Sequence, residues 1–345
     1  MNNPLEFDHL KDLLLSGDST NFELVMQIIR SMNIDRWATY SNILEAREFL
    51  ANKVYGIPRN IPDFISVMRK IQLNLERRQL SYLPTCLMEF DKIMEFVSLE
   101  NNLFTHIPAP ILTYRHLQHL NLGNNRIGEL PSSFWNYPEL RHLNLRNNIL
   151  NEISPDIEKF HNLEYLDVRS THYIQLPSTL SNLKKLHTLY WGLSMYDENK
   201  APHISITDNL KIIAACKSLK ELHLNIPHWE HCPNSIGLLS NLQHLCLNYG
   251  KLKDLPESLR DLKNLQSLDL NGQALSNIPF VLTQLPNLRR LCINSSMLKQ
   301  VPEYIGGLHQ LEYLQLPHTI QNTENILRLK SALPNTKLVF INRYF

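Results

Sequence analysis

Leu117-Gln118-His119-Leu120-Asn121-Leu122-Gly123-Asn124-Asn125-Arg126-Ile127-Gly128-Glu129-Leu130-Pro131 is the stretch that decides the fold. Its apolar residues and its Asn and Pro spell LxxLxLxxNxLxxLP. The same frame returns from Leu140, with Leu143, Leu145, Asn148, Leu150 and Ile153. It returns from Leu163, with Leu166, Val168, Thr171, Tyr173, Leu176 and Pro177. Met94 opens an earlier copy, with Val97, Leu99, Asn102, Phe104, Ile107 and Pro108. Further copies open at Leu186, Leu219, Leu242, Leu265, Leu288 and Leu311. Successive frames lie 23 residues apart, with two exceptions. The first copy, around Leu73, Leu75, Leu80, Leu83 and Pro84, sits one residue early, and a gap of 33 follows Leu186.

A period of this length marks a stacked array, because one coil cannot bury its own apolar face. The LxL core reads as a short strand with alternate residues buried. The Asn closes a turn and can satisfy backbone groups of a neighbouring coil. The LP opens a return segment in which Phe134 and Tyr137, or Ile305 and Leu308, recur three apart, as on a helix or 3₁₀ face. Eleven strands at about 4.8 Å would build a parallel concave sheet roughly 50 Å long. The Asn position holds Arg78, Thr171, Pro227, Gly250, Gln273 and Ser296 in other copies. An Asn ladder is therefore expected only at Asn102, Asn125 and Asn148, with the later turns closing differently.

This frame resembles the cytosolic leucine-rich-repeat class with a 23-residue unit and an LPxxLxxLxxL return. It is similar to Ras-suppressor-like scaffolds, plant intracellular Ras-group repeats and bacterial leucine-rich-repeat proteins. The segment LEYLDVRSTHYIQLPSTLSNLKKLHTL looks like repeats of plant immune receptors. The resemblance covers about residues 67 to 341. It implies an α/β solenoid: a horseshoe with a parallel concave sheet, an N-terminal helical cap and a C-terminal helix-strand cap.

The ends read as those caps. In residues 1–66, Thr20 and Glu23 make a capping box ahead of Phe22, Val25, Met26 and Ile29, and a second helical pattern runs from Asn33 to about Val54. Residues 67–320 form the solenoid of about 11 repeats, with an insertion near 192–206. Residues 321–345 are the closing cap, with a helix near Thr323 to Ala332 and a strand near Lys337 to Ile341. Two caps are expected of a complete protein rather than a receptor fragment.

Composition excludes several function classes. Lys plus Arg number 34 and Asp plus Glu 33, for a net charge of +1, so no charge excess favours nucleic acid or an anionic membrane. The first residues lack a basic leader, and no apolar run approaches the roughly 20 residues of a membrane helix. Five scattered cysteines, Cys86, Cys216, Cys232, Cys246 and Cys292, read as reduced thiols of a cytoplasmic protein, or of a host cytosol if the chain is a secreted effector. No P-loop, GxGxxG, HExxH or GxSxG motif is present. His228-Trp229-Glu230-His231-Cys232 lacks the PCxxC partner of a zinc site, and the frame gives Trp229 and Cys232 core positions. No cofactor, metal or catalytic residue is expected.

Binding residues follow from the alternation of the strands. A tract of His119, His142, Arg146, Tyr165, Asp167, Arg169, Tyr190, His223, His244 and Tyr249 points into the concave face. Tyr and Arg are the side chains that supply interface hot spots. Cys246 and Cys292 face the same way as small sheltered thiols, and Trp191 takes a core Leu position. The expectation is a monomeric, non-enzymatic module, a scaffold or signalling protein, that binds a protein partner there. The competing reading is a pathogen effector or ubiquitin-ligase-like protein acting on host proteins through its repeats.

Overall fold

The computed structural model describes residues 45–49, 73–169, 175–192, 205–225, 227–295 and 297–341. Residues 45–49 are helical. The rest of the expected N-terminal cap, and most of the insertion, lie outside the described residues. The chain forms two compact units, Met1–Ile149 and Leu150–Phe345.

In the first unit four strands pair in parallel and in chain order: β1 (Leu73–Asn74), β2 (Phe96–Ser98), β3 (His119–Asn121) and β4 (His142–Asn144). Phe96 aligns with His119 and His119 with His142, the 23-residue step of the frame. Leu73 aligns with Val97, one residue more, as the early first copy requires. The middle residue of each three-residue strand, Val97, Leu120 and Leu143, is buried, while His119, Asn121, His142 and Asn144 on either side are half-exposed.

The second unit repeats the scheme eight times: β5 (Tyr165–Asp167), β6 (Thr188–Gly192), β7 (Glu221–Asn225), β8 (His244–Cys246), β9 (Ser267–Asp269), β10 (Arg290–Cys292), β11 (Tyr313–Pro317) and β12 (Lys337–Ile341), each parallel to the next. Leu189 aligns with Leu222, so the 33-residue copy keeps its place in the sheet. Its additional length is absorbed partly by a return helix, α1 (Ile206–Ala215), ten residues where neighbouring returns have five-residue 3₁₀ turns. The Ser205 side chain caps it by accepting from the Asp208 N–H. Ser205 and Ile206, expected in the inserted loop, thus belong to the return side.

The other described returns before β11 are 3₁₀ rather than α-helical. A proline precedes seven of them in extended conformation, as at Pro131 (φ −66°, ψ 158°), and turns the chain before the helical residues begin. These returns send large rings into the interior: Phe104, Tyr114, Phe134, Tyr137 and Phe160 are fully buried. The two phenols donate back one coil, Tyr114 to the Leu87 carbonyl and Tyr137 to that of Ile111, both at 2.9 Å.

Turn closure extends further than the sequence suggests. Asn102, Asn125 and Asn148 bracket the preceding coil as expected. Asn125 Oδ1 accepts from the Phe104 N–H, and its Nδ2 donates to the carbonyls of Leu99, Leu122 and Gly123. Gln273, read as a departure, plays the same part, accepting from the Leu252 N–H and donating to the Leu247 carbonyl. Its additional methylene lets the amide reach from a differently shaped turn. Asn209 of α1 accepts from the Leu176 N–H at 2.8 Å. Asn325 does so for Val301 from α2 (Thr323–Ala332), the helix expected near the C-terminus, which β12 follows as its strand.

Trp191 is buried, as its Leu position requires, and so is Cys232. Trp229 is only half-buried, so its core assignment is corrected.

Candidate functional site

Half-exposed side chains flank the buried strand centres in each unit. In the first unit the Phe96 ring lies 5.7 Å from that of His119, which stacks on His142 at 4.3 Å. Beside them Arg146 is committed to Glu100, with 2.7 Å from guanidinium to carboxylate. Glu100 also accepts from the Asn121 and Asn124 amides, at 2.8 and 2.9 Å. Burial works to raise the Glu100 pKa, but the Asn121, Arg146 and Asn124 donors outweigh it and hold the carboxyl below its ordinary value. Nothing in the repeat frame singles out Glu100. It occupies the position equivalent to Arg146 two copies earlier, and charge complementarity at that spacing was the available signal.

A pH dependence follows. A group whose folded pKa is depressed contributes stability above its unfolded pKa and loses it as pH falls through the folded value. Acid titration of the purified chain, followed by circular dichroism, should therefore show a shallower acid transition for Glu100→Gln than for wild type. Superimposable transitions would remove Glu100 from the linkage.

In the second unit Asp167 is 1% exposed and is held by Arg169. The guanidinium donates from Nε to Oδ1 at 3.1 Å and from Nη2 to Oδ2 at 2.7 Å, and the Arg169 N–H donates to Oδ1 at 3.1 Å. The same guanidinium covers the Tyr190 ring at 4.3 Å. Tyr190 stacks on His223 at 3.8 Å with the planes 11° apart, and Tyr165 tilts against its other side at 5.3 Å. The His223 Nε2 meets the Glu221 carboxylate at 2.7 Å, whose second oxygen accepts from the Thr188 hydroxyl. Burial, then the Glu221 charge, raise the Tyr190 pKa, so its phenol stays protonated at neutral pH.

Next to this assembly a cavity of about 500 Å³ opens over β7, β8 and β9. Arg169, Glu221 and His223 form one wall, and His244, Cys246, Asn248, Tyr249, Ser267 and Asp269 are among the residues that form the remainder. The cavity exists because small Cys246 stands in register between His223 and Asp269. Of the ten residues anticipated to bind a partner, Arg169, His223, His244 and Tyr249 line it, and Tyr165, Asp167 and Tyr190 adjoin Arg169 and His223. His119, His142 and Arg146 belong to the first unit. Ser267 and Asp269, which also line the cavity, lie outside the expected tract. Cys246 is half-buried and Cys292 buried, as sheltered thiols, and Arg290 beside Cys292 lies over the Tyr313 ring at 4.1 Å.

Among the described residues no cluster of three or more His, Cys, Asp or Glu side chains could hold a metal. Among them, too, no helix is long and apolar enough to cross a membrane.

Comparison with known families gives a match to the leucine rich repeat over residues 95–150 and to the leucine-rich repeat region over residues 207–335. The chain is a leucine-rich-repeat protein. Of solved structures, its repeats resemble an internalin, InlF, from Listeria monocytogenes at 18% identity and a TM-score of 0.54, over 88% of each chain. They also resemble a leucine-rich-repeat protein of Leptospira interrogans at 23% identity and a TM-score of 0.36, over 79% of this chain and 84% of that one. A third resemblance is to the plant peptide hormone receptor RGFR1, solved in complex with RGF2, at 22% identity and a TM-score of 0.48, over 77% of this chain and 46% of the receptor. No curated protein matches the sequence. Leucine-rich-repeat folds of this kind are typically protein–protein interaction modules.

Proposed function

We propose that this leucine-rich-repeat protein is a non-enzymatic recognition module that takes a protein partner on the open, concave-side face of its parallel strands. The observation that carries this reading is the stacked assembly of Tyr165, Arg169, Tyr190 and His223, half-exposed and already locked by ring and ion contacts. Large rings held rigid before binding lose little conformational entropy when a partner arrives, which is what makes such residues hot spots. Arg146 is spent on Glu100, and we assign it to support rather than contact.

The thiols speak against the ubiquitin-ligase-like alternative, which needs a reactive cysteine. Burial pushes Cys232 and Cys246 up to about 12, and Cys86, Cys216 and Cys292 up to about 11. A nucleophilic cysteine needs the opposite shift. We place the protein in the cytoplasm on the same cysteine usage, with no nucleic acid, membrane, metal or cofactor in its role.

The test is affinity capture from the native source with wild type and a Tyr165→Ala/Tyr190→Ala variant, whose melting curves are compared first. A folded variant should lose a protein that wild type retains. Retention of the same set by both, or catalytic turnover by the purified chain, would overturn the reading.

A further inference from the structure

The two walls of the cavity in the second unit differ in how their polar groups are spent. The Arg169 wall is closed on itself: Asp167 cancels the guanidinium, and His223 is tied to Glu221. The opposite wall is open. Asp269 Oδ1 accepts only the Asn271 N–H two residues on, at 3.0 Å, and its second oxygen accepts nothing among the described residues. The Ser267 hydroxyl and the exposed His244 ring likewise have no side-chain partner among them. Glu221 and Asp269 line the cavity with Arg169, whose charge Asp167 meets from behind, and Arg290 on the next strand is turned onto the Tyr313 ring. The local charge therefore favours a cation and repels phosphate or carboxylate.

Tyr249 adds a second, independent sign. It is 47% exposed and its backbone is left-handed, at φ +56°. The same place in other coils holds Asn101, Asn124, Asn147 or Gly272, residues that adopt this conformation cheaply. A large ring there is strained, and strained non-glycine residues cluster at sites of recognition. Gly272 makes the ring's position possible, since a Cβ on it would come within 2.8 Å of Tyr249 Cδ1.

We propose that this wall is a receptor for an arginine side chain of an extended segment of the protein partner. Asp269 takes the guanidinium through its unspent oxygen, Ser267 adds a hydroxyl acceptor, and the planar cation lies against the Tyr249 ring. Arginine fits better than lysine, because the site offers acceptors in a fork together with an aromatic face. The inference rests on the recognition reading above and names the chemistry that the open face reads.

The experiment uses the full chain and an immobilised library of short unstructured peptides, each synthesised in arginine, lysine, glutamate and alanine versions at one position. Wild type should be retained by arginine versions about tenfold better than by glutamate versions. Asp269→Asn keeps the acceptor for the Asn271 N–H, so it should fold normally and abolish that ratio. Tyr249→Asn relieves the backbone and should reduce retention of the arginine peptides about threefold without loss of stability. Absence of peptide binding, a preference for acidic peptides, or an arginine preference untouched by Asp269→Asn would each overturn the proposal. An arginine-indifferent library beside loss of the native partner by Tyr165→Ala/Tyr190→Ala would defeat this inference and leave the recognition reading standing. Retention of that partner by the double variant would defeat the reading itself.

Discussion

Gly192→Ala is expected to destabilise the second unit by about 4 kcal/mol, from backbone overlap and forced φ together. Gly192 ends β6 at φ +147°, a conformation that L side chains rarely adopt. A Cβ there would fall on the Asn225 carbonyl oxygen and 2.5 Å from the Asn225 nitrogen. These are main-chain atoms of the paired strand β7, so no side-chain rotation can relieve the overlap. Either β6 or β7 must shorten, and the pairing between them spans the 33-residue step. Urea unfolding of the variant should show a lower midpoint, and amide exchange should accelerate first at Trp191 and Asn225. An unchanged midpoint would mean that the two strands do not approach as described.

Asn125→Ala should cost the first unit about 3–5 kcal/mol. The side chain is 7% exposed and serves one N–H and three carbonyls. Alanine leaves the Phe104 N–H without a partner in a place that water does not reach, and takes one donor each from the Leu99, Leu122 and Gly123 carbonyls, which keep those of Asn102, Asn148 and the Asn101 N–H. Denaturant unfolding measures the loss directly. Asn125→Gln is the informative companion, because Gln273 shows that a longer amide can close a turn of different shape. Partial recovery with glutamine would identify hydrogen bonding, rather than packing volume, as the source of the loss.

The leucine frame was readable because its physics is redundant. Leu120, Leu143, Leu166, Leu189 and Leu222 all face inward, and a mistake at one is corrected by the others. Turn closure was readable only where Asn appeared. Gln273, Asn209 and Asn325 fill the same need from other positions or from helices, and no fixed spacing announces them. The candidate site was legible as a face but not as a surface chemistry. Alternation placed Tyr165, Asp167, Arg169, Tyr190 and His223 together, and they do meet. It could not show that Asp167 spends the charge of Arg169, or that Glu221 occupies His223. Those outcomes depend on side-chain rotation, which one residue letter does not encode. Asp269 matters in the structure because of what it does not bond, a property invisible in sequence.

The side-chain brackets of the turns all point the same way. Asn102, Asn125, Asn148, Gln273 and Asn325 each complete the coil that precedes their own. During synthesis a coil therefore leaves the ribosome with its turn unfinished and waits for the next residues to arrive. At about 5–20 residues per second, a coil's length takes one to a few seconds to emerge. At these coils the growing end is the under-bonded end, and α2 relieves the last of them through Asn325. A chain stopped short of α2 exposes an unfinished last turn, whereas one that starts late merely leaves an amide with nothing behind it to bind.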